Sequence, residues 1–236
     1  MNKTAAFFLA YNEEETLPGL LERVPDNVDA FLFDDGSTDR TPDIAREQDV
    51  TVIQHPINLG QGMTCLTALK YFVNTSYQYA ISLDADGQHN PEEIPKFIET
   101  LEATDYDIVA GSRLLGSNYE EAPLFRKIGL KPLNRILDFL TNYQLSDYMC
   151  GFRGFRVEAL RKVEPLFETM TETSYIASEM WIKFSHAGLT AVDIPINLKQ
   201  RASGSSYKGH ALAQYGFGVL RTILRSVLET YRDPDS

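Results

Sequence analysis

Along the first 115 positions, apolar residues fall into short runs, each followed by a turn signal and then a stretch of helical periodicity. The runs at 5–10, 30–33, 51–54, 79–83 and 108–110 predict strands. The stretches at 13–23, 42–47, 62–73 and 91–101 predict helices between them. This alternation predicts βαβ units and an α/β fold around a mostly parallel open sheet. Ligands of such sheets bind beyond the carboxyl ends of the strands, so chemistry is expected just after each apolar run.

The second half is less regular. Residues 116–129 lack periodicity, carry Glu120 and Glu121, and read as a loop. Residues 132–140 and 178–186 predict helices and 189–194 a strand, while 151–157 is a glycine-and-aromatic segment that fits a strand or a turn. Residues 199–209 are polar, basic and rich in glycine and serine. From 211 to 231, Leu212, Tyr215, Val219, Leu220, Ile223, Leu224, Val227, Leu228 and Tyr231 recur at three-and-four spacing, with Arg221 and Arg225 towards the other face. The pattern predicts an amphipathic C-terminal helix that packs on the domain, on a second subunit, on a membrane interface or on a membrane-bound partner. The expected organisation is one domain over 1–210, followed by this helix and a tail over 211–236.

Composition narrows the function. A chain of 236 residues with 43% hydrophobic and 23% charged residues is long enough to bury a full core. Its net charge of −11 argues against nucleic acid as a partner. Cys65 and Cys150 lie far apart with no metal-ligand spacing, which fits a reduced, cytoplasmic setting. The apolar start at 5–10 has neither the basic head nor the cleavage site of a signal peptide. No window reaches the roughly 20 apolar residues of a spanning helix. The expectation is a cytoplasmic protein, at most peripheral on the cytoplasmic face of a membrane.

Candidate chemistry does sit after the apolar runs. Asp84-Ala85-Asp86-Gly87-Gln88-His89 places two carboxylates one residue apart at a strand end, where both reach one cation if the chain bends. Magnesium or manganese takes few protein carboxylates and completes its shell with water and phosphate oxygens. Asp-x-Asp-Gly is also ordinary turn chemistry. Tyr11, in Ala10-Tyr11-Asn12-Glu13-Glu14, suits stacking on a base or ribose; Asp35, in Asp34-Asp35-Gly36-Ser37-Thr38-Asp39, suits hydrogen bonds from either. Asn12, Thr38 and Asp39 equally suit helix caps. Asn58-Leu59-Gly60-Gln61-Gly62 opens a helix whose amides suit a phosphate or a sugar hydroxyl.

Taken in order, FLAYNEEETL, FDDGSTDRT, NLGQG and LDADGQH resemble glycosyltransferase family 2. The resemblance implies the GT-A fold, a single Rossmann-like domain. It implies a donor site that includes Ala10, Tyr11, Glu13, Asp35, Gly60, Asp84, Ala85 and Asp86. Leu9-Ala10 departs from the Pro-Ala of many members. Within the family the chain is similar to dolichyl- and polyprenyl-phosphate hexose synthases of the mannose type. That similarity rests on DADGQH, on Gly111-Ser112-Arg113, on Asp147 ahead of Cys150-Gly151-Phe152-Arg153, and on Arg201 with its serine-containing loop. It implies Mg2+ or Mn2+ held by Asp84, Asp86 and Gln88, and phosphates held by Arg113 and Arg201.

The implied reaction is inverting transfer of a hexose from a GDP-mannose or UDP-glucose type donor to a dolichyl or polyprenyl phosphate. An anionic phosphate acceptor needs no strong base. A sugar-hydroxyl acceptor, in a glycan-extending relative, would require one, and Glu179 and Asp147 are the candidates. The expected catalytic set is therefore Asp86, Arg113, Asp147 and Glu179. A nucleotidyltransferase would carry a glycine-rich basic loop after the first strand, where this chain has Ala10-Tyr11-Asn12-Glu13. A non-catalytic nucleotide-sugar-binding protein would not need the aspartate pair.

Overall fold

Seven strands form one sheet in the computed structural model, which describes residues 3–117, 124–198 and 210–232. They are β1 Thr4–Ala10, β2 Val28–Asp34, β3 Thr51–Gln54, β4 Tyr79–Asp84, β5 Ile108–Ser112, β6 Arg153–Arg156 and β7 Ala191–Pro195. Their order is β3-β2-β1-β4-β6-β5-β7, with β6 antiparallel to both neighbours and every other pair parallel. All seven residues of β1 are buried, as a central parallel strand covered on both faces requires. Phe7 and Phe8 alternate into two separate cores, one on each face of the sheet.

The helices divide accordingly. The helices α1 Leu17–Leu21, α2 Thr41–Glu47 and α4 Ile94–Ala103 contribute Leu17, Ala45 and Phe97 to the core beside Phe8. The helices α3 Gln61–Phe72, α5 Leu124–Thr141, α6 Val157–Lys162 and α7 Ile176–His186 contribute Leu69, Leu137, Leu160 and Trp181 to the core beside Phe7. The last helix, α8 His210–Arg232, packs on α7.

The mostly parallel α/β sheet and the C-terminal amphipathic helix agree with the sequence reading, and the differences have local causes. The helix expected over 13–23 shrinks to α1 because Pro18 has no amide to give to an earlier turn and fits only a first turn. Residues 12–14 instead donate their amides to Ser37 Oγ, Thr41 Oγ1 and Asp39 Oδ2. The α5 helix begins at Leu124, ahead of the expected start at Pro132, which it carries in its interior. The apolar stripe of α8 divides into two lines. Val219 and Ile223 are buried with Gly218, Thr222 and Ser226, whereas Phe217, Leu220, Leu224 and Leu228 face outward.

Candidate active site

The parallel register brings the ends of β1, β2 and β4 side by side. Ala10 pairs with Asp34, and Leu9 pairs with both Phe33 and Asp84. The chain continues the ladder past the strands: the Asp35 amide donates to the Ala10 carbonyl (2.8 Å) and the Ala85 amide to the Leu9 carbonyl (3.0 Å). Thr16 Oγ1 donates to the Ala85 carbonyl at 2.6 Å, tying the loop after β1 to the loop after β4. Tyr11 is exposed on this rim. The Glu13 carboxylate lies 3.1 Å from Thr16 Oγ1.

Asp35 is buried and its oxygens organise the next loop. They accept the Leu59 amide at 2.8 Å and the Gly60 amide at 2.9 Å, and Oδ1 lies 3.1 Å from His55 Nδ1. This holds the turn into α3, where Gln61 Nε2 donates to Asp84 Oδ1 at 2.8 Å. Asp84 and Asp86 are both half-buried, with Gln88 beside them donating its amide to Asp86 Oδ1 at 3.1 Å. Gly151 abuts the pair from β6's approach: a Cβ there would stand 2.5 Å from Asp84 Oδ2, so only glycine leaves that carboxylate its position.

Behind the aspartates, buried His89 accepts the Asp84 amide on Nδ1 (3.1 Å), which places its proton on Nε2, 3.8 Å from Cys150 Sγ. Burial lowers the His89 imidazole to about 4, so it is neutral, and raises the Cys150 thiol to about 12.

Arg113 follows β5 and meets Asp147 as a fork. Nε lies 2.5 Å from Oδ2 and Nη2 lies 2.8 Å from Oδ1, while the Arg113 amide adds a third donor to Oδ2. The Asp147 side chain is fully buried and that of Arg113 is 18% exposed. Glu179 stands apart, in the first turn of α7 beneath α8. Its buried carboxylate lies 3.0 Å from Lys183 Nζ and 3.3 Å from Arg225 Nη2, and accepts the Thr171 and Glu172 amides. Arg201 lies outside the described residues.

The strand ends thus gather Ala10, Asp35, Asp84 and Ala85, and the bonds above add Gly60 and Gln61. Sequence reasoning did not single out Gln61, His89 or Cys150 as neighbours of the aspartates. His89 lies in the DADGQH run itself, whereas Gln61 in NLGQG and Cys150 ahead of Gly151 carry no spacing that points to the aspartates. Among the described residues, no three His, Cys, Asp or Glu side chains gather closely enough to hold an ion alone. Two carboxylates and an amide oxygen fit a hard cation that takes its remaining ligands from phosphate and water.

Known proteins resemble this chain in sequence and in fold. The family model for glycosyl transferase family 2 matches residues 7–164. Polyprenol monophosphomannose synthase of Mycolicibacterium smegmatis is 27% identical over 241 residues, covering 98% of this chain and 90% of the relative. Dolichyl-phosphate hexose transferase of Haloferax volcanii is 28% identical over 222 residues, covering 93% and 91%. Glucosyl-3-phosphoglycerate synthase of Mycobacterium tuberculosis, solved with Mn2+, UDP and glucosyl-3-phosphoglycerate, superposes with a TM-score of 0.65 at 16% identity, covering 95% and 80%. With its residues 7–164 matching the family model, this chain belongs to glycosyl transferase family 2 and is a glycosyltransferase.

Proposed function

We propose that the enzyme moves a hexose from a nucleoside-diphosphate sugar to a polyprenyl or dolichyl phosphate in one inverting displacement, with Mg2+ or Mn2+ at Asp84, Asp86 and Gln88. The observation that carries the acceptor class is the state of the two carboxylates a hydroxyl acceptor would need. Asp147 is occupied by three donors of Arg113, and Glu179 is buried among Lys183, Arg225 and two amides. Neither is poised to take a proton, and a phosphate acceptor presents none that has to be removed. The names of the relatives from Mycolicibacterium and Haloferax favour the same acceptor.

The donor side follows from charge. Asp34, Asp35, Asp84 and Asp86 line the strand ends, so a bare diphosphate would be repelled there. A bound divalent cation supplies charge neutralisation to the departing nucleoside diphosphate. Tyr11, Glu13 and Asp35 flank the nucleotide, and the Gly60 turn borders the diphosphate. Gln61 orients Asp84. Arg113, held by Asp147, presents its guanidinium to phosphate, and Arg201 adds a second. Asp147 is thereby a positioning group and Glu179 a structural one. The acceptor oxygen attacks opposite the leaving diphosphate, and catalysis is positioning together with charge stabilisation.

A lipid acceptor calls for contact with a membrane. No described helix is long and apolar enough to cross one. The outward line Phe217, Leu220, Leu224 and Leu228 of α8 supplies an apolar face suited to lying on its surface. The test is transfer from labelled GDP-mannose, UDP-glucose and related donors to a polyprenyl phosphate, with and without Mg2+ or Mn2+. Cation-dependent label in the lipid, lost in Asp86→Ala, is expected. Label on a saccharide acceptor and none in the lipid would overturn the acceptor assignment.

A further inference from the structure

We propose that Glu172, gripped by Thr222 of α8, is a positioning residue for the transfer reaction: through Thr173 it fixes the start of α3, and with it Gln61 on Asp84. The proposal rests on the reading of Asp84 as part of the donor and cation site.

Residues 169–175 form an irregular link between the 3-10 turn Glu164–Glu168 and α7. Such a link has no ladder of its own, so its amides need partners from elsewhere. Two buried carboxylates provide them. Glu179 accepts the amides of Thr171 (3.3 Å) and Glu172 (2.9 Å), and Glu172 Oε1 accepts the amide of Ser174 (3.1 Å). Thr173 is left at the apex, and its carbonyl accepts the Gly62 amide at 2.7 Å.

This contact lies backbone on backbone. A Cβ on Gly62 would stand 2.8 Å from the Thr173 carbonyl carbon, and one on Gly60 would stand 2.8 Å from its oxygen. The two glycines let the first turn of α3 rest directly on the link, and Gln61 between them reaches Asp84 Oδ1 at 2.8 Å. The turn is then pinned on both sides, by Asp35 through the Leu59 and Gly60 amides and by Thr173 through the Gly62 amide.

The grip comes from α8. Thr222 Oγ1 donates to Glu172 Oε2 at 2.8 Å, and the Arg221 and Arg225 guanidinium groups stand 3.8 Å from the same oxygen. Burial on its own would raise the Glu172 carboxyl. The Thr222 hydroxyl, the Ser174 amide, Arg225 and the Tyr175 amide outweigh burial and hold it below the ordinary carboxylate range. Glu172 is therefore charged at neutral pH and keeps these partners. Gly218, one turn before Thr222, admits the Tyr175 ring, so α8 meets the link at two successive points. The path from α8 to the reacting centre is short: Thr222, Glu172, Thr173, Gly62 with Gln61, then Asp84.

The isosteric variant Thr222→Val tests the path, using the full chain in assays well below its melting temperature. Losing a hydrogen bond to a buried charge should raise the donor KM and the Kd for Mn2+ roughly tenfold. At saturating donor and Mn2+, kcat should stay within about threefold. Thr222→Ser should restore both constants, and Glu172→Gln should reproduce the defect. A lowered Tm with donor KM and Mn2+ Kd at wild-type values in both Thr222→Val and Glu172→Gln would overturn the proposal, leaving Glu172 a stabilising group only. Mn2+ binding that survives Asp84→Ala would instead overturn the site assignment beneath it, and the path with it.

Discussion

Substituting Gly151 by alanine separates the geometry of the site from the stability of the fold. The added Cβ would stand 2.5 Å from Asp84 Oδ2 and 2.9 Å from Asp84 Cγ, where ordinary contact begins near 3.4 Å. Something must yield by about 1 Å. Gly151 is anchored, since its carbonyl accepts Ser82 Oγ at 2.6 Å, so the Asp84 carboxylate is the group that moves. Its side chain is 25% exposed and has room to swing outward. Gly151 is not among the residues of positive φ, so alanine fits the backbone itself. The stability cost is then at the low end of overpacking, about 1–2 kcal/mol, and a fall in Tm of about 2–8 °C. The functional cost is larger. A 1 Å displacement of a group that orients the reacting centre lowers the rate roughly 100-fold, and the Gln61 bond to Asp84 is lost with it. Initial rates of sugar transfer over a range of Mn2+ concentrations, beside a melting curve, read both quantities. Wild-type kcat/KM within twofold in Gly151→Ala would refute the view that Asp84 must hold this position.

Three further outcomes are expected. Arg113→Ala strips the fork from Asp147, whose side chain is fully buried, and should cost about 3–5 kcal/mol in urea unfolding, while Arg113→Ala/Asp147→Ala recovers much of that loss. The Glu172 pKa is lower folded than its ordinary 4.5, so its contribution is complete above 4.5 and is lost as pH falls through the folded value. Glu172→Gln should therefore lose less stability than wild type between pH 6 and 3, and equal losses would contradict that sign. Leu224→Glu with Leu228→Glu places charge on the outward line of α8 and should reduce recovery on polyprenyl-phosphate vesicles with little change in Tm, because both residues are more than half exposed.

What the sequence made legible is local. Strands β1 to β5 and helices α2 to α4 followed from apolar runs, period and turn signals, within a few residues at each end. The acidic residues at 34, 35, 84 and 86 were found because a parallel sheet presents its chemistry where the runs stop. Pro18 and its effect on α1 were readable in principle, since a proline in the second turn forbids the longer helix. The α6 helix, six residues long, is too short for any period to emerge. The insertion of antiparallel β6 between β4 and β5 left no local mark, because strand order is fixed by packing between distant segments.

The same limit applied at the site. Gln61 meets Asp84 across 23 positions, and Thr173 meets Gly62 across more than a hundred. Neither contact has a spacing that a pattern could reveal. The surroundings of Glu179 were out of reach for the same reason. Its environment is set by Lys183 one turn on and by Arg225 on another helix. The apolar stripe of α8 gave the helix but not its division, since helical period alone does not say which half of a wide stripe meets α7.

The central claim is that a phosphate oxygen attacks the anomeric carbon in one displacement. The most direct measurement is the anomeric configuration of the isolated product by proton and phosphorus NMR, starting from an α-linked nucleoside-diphosphate sugar and a polyprenyl phosphate. The account predicts a β-linked glycosyl phosphate, with the anomeric proton coupled to phosphorus. An α-linked product, or a glycoside with no phosphorus at the anomeric position, would contradict it.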